Sequence, residues 1–202
     1  MHTMERYFNQ CDNMELTDGI SESLMRTVMK NAKILKDEPD NYDARAEVMW
    51  AGSLSHNGLT GCGTDGGDWA THKMEHEVGG LFDVAHGAGL AALWGSWARF
   101  VLDARPARFA QFATHVLGVT AGIRGNPAGA DDTETALKGI EAMEDFYHSI
   151  DMPVSLSELG VTPTPEQIRT MAEKCDISTH HNAGKVKHLS VEDMATIYTT
   201  AL

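Results

Sequence analysis

The sequence predicts an all-α fold of about eight helices in one domain. Three observations carry this. Apolar residues recur at helical spacing through most of the 202 residues, no stretch alternates with period two, and the later helices open on recognisable caps. Hydrophobic residues make up 42% and charged residues 22%, enough to bury a sizeable core.

The elements follow in chain order. Leu16 to Leu35 places Ile20, Leu24, Val28, Met29 and Ala32 close to a 3.6 period. Tyr42 to Leu54 repeats the pattern with Ala44, Val48, Met49 and Ala51. Asp68 to Val78 and His86 to Val101 read as helices, with the Gly79-Gly80 pair expected to end the first of them. Pro106 suits a first helical position, followed by Phe109, Phe112, Ala113 and Val116. Asp131 caps a helix that carries Ala136, Ile140, Met143 and Phe146 towards Ile150. Thr164-Pro165-Glu166-Gln167 is a capping box with proline at the first position, and Ser190-Val191-Glu192-Asp193 opens the last helix. Loops are expected at Gly58–Gly67, Gly122–Ala130, Met152–Pro163 and Asp176–Lys187.

Composition removes several function classes. A net charge of −13 argues against nucleic acid and against anionic lipid, both of which need a basic surface. No apolar run approaches the roughly 20 residues that span a bilayer, so no membrane partner is expected. Cys11, Cys62 and Cys175 are isolated and odd in number, which disfavours a disulfide framework and points to a cytoplasmic location. Gly61-Cys62-Gly63-Thr64-Asp65-Gly66 spells GxGxxG. That pattern binds dinucleotides only between a strand and a helix, and here a helix precedes it.

Histidines carry the strongest chemical signal. Ten occur in 202 residues, three of them between Asp68 and Ala91. His72 and His76 share a helix face at i and i+4, and His86 opens the next helix. Imidazoles from neighbouring helices suit a divalent cation. An HxxxH pair alone is more often a surface or packed pair, and Lys73 excludes the metalloprotease HExxH arrangement. His115 and His148 read as surface or packed histidines, and His180, His181 and His188 as solvated. His56, near the glycine-rich loop, is a weaker substrate-side candidate.

As a whole, DWxxHxxEHExxxxxDxxHGxGLA from Asp68 to Ala91 resembles the metal signature of the iron-containing alcohol dehydrogenases, in particular the butanol dehydrogenase branch. Met1 to Phe8, Leu16 to Ile20, Met49 to Ala51, Asn57 to Leu59, Arg108 to Ala113 and Pro153 to Leu156 extend the likeness along the chain. The resemblance implies the C-terminal helical domain of the dehydroquinate synthase-like fold, spanning residues 1–202, without the N-terminal α/β domain that binds NAD(P). It implies His2, His72 and His86 as metal ligands and His76 beside substrate as a proton-relay group. Fe²⁺ is the expected metal, with Zn²⁺ a competitor at imidazoles. The substrate would be a small alcohol or aldehyde that exchanges hydride with a nicotinamide. The family's aspartate ligand would fall four residues before His2, outside these residues. His2 is expected to sit on a frayed end, and the chain by itself is expected to be a truncated, inactive part. The partners left open are a homodimer or a separate N-terminal nucleotide-binding polypeptide. The alternative reading is a non-catalytic dimerisation or scaffolding remnant. Asp151 and Gly95 stand where relatives carry Gly and Pro.

Overall fold

The computed structural model describes residues 1–120 and 131–202, and the loop expected at Gly122–Ala130 lies outside the described residues. Nine α-helices and no strand occur among the described residues: α1 (His2–Tyr7), α2 (Glu15–Asp37), α3 (Tyr42–His56), α4 (Ala70–Phe82), α5 (His86–Val101), α6 (Pro106–His115), α7 (Asp132–Ser149), α8 (Pro165–Ser178) and α9 (Val191–Thr200). Eight match the expected helices. The ninth, α1, has only six residues, too few to show a period.

The cap signals hold locally. Thr164 Oγ1 accepts from Gln167 N at 3.2 Å while Gln167 Oε1 accepts from Thr164 N at 2.8 Å. Asp131 Oδ1 accepts from Thr133 N at 2.9 Å. One boundary differs from expectation: α4 runs through Gly79-Gly80 to Phe82 and ends at Asp83, which takes the left-handed φ of 52°. The glycines stay helical because α4 packs on α5 and α8, and tertiary packing overrides their weak intrinsic propensity.

Helix α5 forms the centre, buried from Gly89 to Ala98 on nearly every side, with α4, α7 and α9 against it. Trp94 and Trp97 meet Phe112, Phe109 and Phe8 in an aromatic cluster, the Phe8 and Phe109 rings stacked at 4.4 Å. Tyr198 donates to the Met74 carbonyl at 2.7 Å and ties α9 to α4. Gly95 leaves room for Glu144, which pairs with Arg99 at 2.6 Å, where an added Cβ would meet that carboxylate. Asp151 adopts φ 57°, a region that favours glycine, and Lys36 pairs with its carboxylate at 2.9 Å.

Helix α1 is packed into the fold. Thr3, Met4, Glu5 and Tyr7 are buried, so neighbours hold it where its own length could not. Asp68 N donates to the carbonyls of Glu5 and Phe8 at 2.9 and 2.8 Å, which places the start of α4 on the end of α1. Gly67 permits this approach: its φ is +79°, and a Cβ there would lie 2.3 Å from Glu5 O. Gly67→Ala should lower stability by roughly 3 kcal/mol, from left-handed strain plus a backbone clash. A thermal or urea melt measures this, and an unchanged midpoint would contradict the close approach.

Candidate metal centre

Three local structures deliver the histidines. His2 is the first residue of α1, His72 and His76 lie one turn apart on α4, and His86 is the first residue of α5. With Gly67 seating α4 on α1, and Asp83–Ala85 as the only link between α4 and α5, the rings converge. They form a row. Ring centroids are 4.1 Å apart for His56 and His2, 4.6 Å for His2 and His72, 5.0 Å for His72 and His86, and 5.5 Å for His86 and His76. Trp69 closes one side, 5.1 Å from His72 and 5.8 Å from His2, with the Arg6 guanidinium 4.9 Å over the Trp69 ring.

All four site residues expected from the sequence are therefore brought together, and the exposed His56 joins them beyond His2. The chosen set is not the tightest one. One ligand atom each from Glu75, His76 and His86 lie within 4.8 Å of one another. That trio shares only His86 with the set of His2, His72 and His86. Its compactness comes in part from a Glu75–His86 hydrogen bond already made. What sets His72 apart is burial: its Nε2 lies in the interior without a hydrogen-bond partner among the described residues.

Two buried carboxylates flank the row, and sequence reasoning gave neither a role. Glu5 Oε1 accepts the His72 backbone N–H at 3.1 Å, satisfying a donor in the first turn of α4, while Glu5 Oε2 lies against His72 Nδ1. Glu75 Oε2 accepts from His86 Nδ1. The available signal was positional. Glu5 follows His2 by three and Glu75 follows His72 by three, so each glutamate shares a helix face with a candidate ligand.

The electrostatics are those of a dry pocket. Burial pushes His2 down to about 4, with the neighbouring His72 adding to it. Burial, then His86, takes His72 down to about 4. Burial also lowers His76 and raises Glu75, and it lifts Glu5 to about 8. Imidazoles held neutral are in the form that binds cations.

A divalent cation fits these residues. His72 is 5% exposed and its Nδ1 lies against Glu5 Oε2, yet its Nε2 has no hydrogen-bond partner among the described residues. Glu75 Oε1 is buried and equally unpartnered. Buried polar atoms without partners are unfavourable by about 1–3 kcal/mol each, and clustered they mark a site for something that supplies the missing interaction. The GxGxxG segment, by contrast, lies between α3 and α4 with no strand before it, and Cys62 in it is exposed. The Trp69 indole donates to Gly66 O at 2.8 Å, so the loop's contribution is to hold the wall of the cluster.

Fold and site define an all-helical domain built around a histidine–glutamate cluster. A family model described as Fe-containing alcohol dehydrogenase family, C-terminal, matches residues 1–202, and the chain belongs to that family. The probable NADH-dependent butanol dehydrogenase 1 of Bacillus subtilis is 35% identical over 201 residues, covering 100% of this chain and 49% of that protein. NADH-dependent butanol dehydrogenase A of Clostridium acetobutylicum is 32% identical, covering 98% and 48%. The crystal structure of NADH-dependent butanol dehydrogenase A from Thermotoga maritima superposes with a TM-score of 0.86 at 33% identity, over 99% of this chain and 49% of that one. The substrate- and cofactor-free aldehyde reductase YqhD of E. coli gives 0.88 at 27%, over 100% and 50%. The chain thus spans about half the length of the relatives it matches. No described helix is long and apolar enough to cross a membrane.

Proposed function

We propose that these residues are the metal-binding half of an NAD(P)-dependent alcohol or aldehyde oxidoreductase. The observation that carries the reading is the buried His72 ring with its Nε2 unpartnered, in line with His2 and His86. His2, His72 and His86 would hold the cation, Fe²⁺ by the family's description and Zn²⁺ as the competitor. A bound cation would act as a Lewis acid on an alcohol or carbonyl oxygen.

The chain's own groups do the rest. Trp69 and the buried faces of α4 and α5 keep water from His72. His76 is exposed beside His86 and is placed to pass the alcohol's proton between the site and solvent. No strand–turn–helix nucleotide site occurs among the described residues, so hydride exchange needs a nucleotide-binding α/β half, joined or separate. The 202 residues alone should bind metal but not oxidise NADH.

Metal analysis of the purified chain tests this. About one equivalent is expected in the parent protein and clearly less in His86→Ala. Equal content in both would remove the reading. The exposed Leu16, Met49 and Trp50 are the observation behind a non-catalytic interaction module. That alternative predicts neither metal nor NADH binding, and it gives no account of the unpartnered His72 Nε2.

A further inference from the structure

Glu75 is buried to 2% side-chain exposure between α4 and α5, and the reading above gives it nothing to do. We propose that Glu75 is a positioning residue that holds the His86 ring in its cation-binding orientation and tautomer, an inference that rests on the metal reading above.

An ionised carboxylate can only accept hydrogen bonds. With Glu75 Oε2 on His86 Nδ1, the proton sits on Nδ1 and the lone pair of Nε2, on the far edge of the ring, stays free. His86 needs such help more than its neighbours. Its ring is about half exposed (47%), and Ala85 before it offers no side-chain cap. Imidazole ligands in metal sites usually donate their second nitrogen to a carboxylate, which fixes the ring and raises its basicity.

The fold makes room for this carboxylate from both helices. A Cβ on Gly79 would lie 3.3 Å from Glu75 Oε1, and one on Gly89 would lie 2.5 Å away. A glycine one turn after Glu75 and another on the facing helix together form its cradle. The arrangement is repeated on the other side of the row, where Glu5 Oε2 lies against His72 Nδ1. Two of the three proposed ligands are thus backed by a buried glutamate through the same ring nitrogen.

A purely structural side chain would suit this place better if it were apolar. Glu75 Oε1 is buried without a partner, a standing penalty that a leucine of similar volume would remove. The two roles therefore predict opposite signs, and the full chain titrated with Co²⁺, read by its visible absorption, separates them. Glu75→Leu should bind Co²⁺ about 10–100-fold more weakly while its metal-free form melts no lower than the parent. Glu75→Gln keeps an acceptor oxygen and should stay within about 5-fold. Gly89→Ala leaves the carboxylate's chemistry intact but pushes it from its cradle, and should weaken Co²⁺ about 10-fold even where Glu75→Leu fails to fold. Parent-like affinity within about two-fold in both Glu75→Leu and Gly89→Ala overturns the positioning role alone. A parent chain that takes up no Co²⁺ overturns the metal reading and this role with it.

Discussion

His72→Ala is expected to weaken Zn²⁺ or Co²⁺ binding by more than about 100-fold, the largest effect of any single substitution at the cluster. His72 stands in the middle of the row, with ring contacts to His2, His76 and His86, and it is the most buried of the four. Without it, His2 and His86 are separated by the gap it filled. The effect is measurable as stability. At a cation concentration 100 times the dissociation constant, binding stabilises the parent by about 2.7 kcal/mol. A variant 100-fold weaker would gain only about 0.4 kcal/mol under the same conditions. The metal-free variant should lose little, because the truncation also removes the buried, unpartnered Nε2. His180→Ala, at an exposed position, should keep the full metal-dependent gain. A His72→Ala protein with the same metal-induced shift as the parent would refute the assignment.

Arg108→Ala should lower stability by about 3–5 kcal/mol, the range for breaking a buried ion pair and leaving one charge behind. Arg108 Nη2 donates to Asp18 Oδ1 at 2.6 Å, and Arg108 Nε donates to the Tyr7 carbonyl at 2.8 Å. Its guanidinium lies 3.8 Å over the Tyr7 ring, and Tyr7 in turn donates to Glu22 Oε1 at 2.8 Å. The residue thus joins α6, α2 and α1 at once, and α1 carries both His2 and Glu5. Removing it strands the Asp18 carboxylate, 7% exposed, with Gln111 as its remaining side-chain donor. Arg108→Lys should recover little, since a point charge cannot make the two-pronged contact. Urea midpoints of the two variants would settle the matter, and a loss below about 1 kcal/mol for Arg108→Ala would contradict it.

The helices were legible because their signals are local. Apolar spacing along Glu15–Asp37 and the boxes at Thr164 and Ser190 depend on residues three or four apart, and they survive into the structure. What remained hidden depends on other elements. Helix α1 is too short to show a period, so only the likeness of Met1 to Phe8 to a helix of the family marked it, and contacts with the start of α4 and with α6 hold it. Gly79-Gly80 reads as a stop in isolation, yet these residues are helical, because the packing of α4 on α5 and α8 outweighs their weak helix propensity. The histidines were legible as ligand candidates through their i, i+4 and fourteen-residue spacings, aided by the resemblance of the surrounding motif. Their carboxylate partners were not. A glutamate in an otherwise polar helical stretch looks solvated until the packing shows that Glu75 is sealed by Gly89 and that Glu5 sits at the start of α4.

The sharpest test is an anomalous-scattering map from crystals of this chain grown with Zn²⁺. The prediction is one strong peak at about 2.0–2.1 Å from a ring nitrogen of both His72 and His86. Occupancy only at exposed imidazoles such as His180 or His181, with the His72 ring left bare, would contradict a shared cation at this cluster.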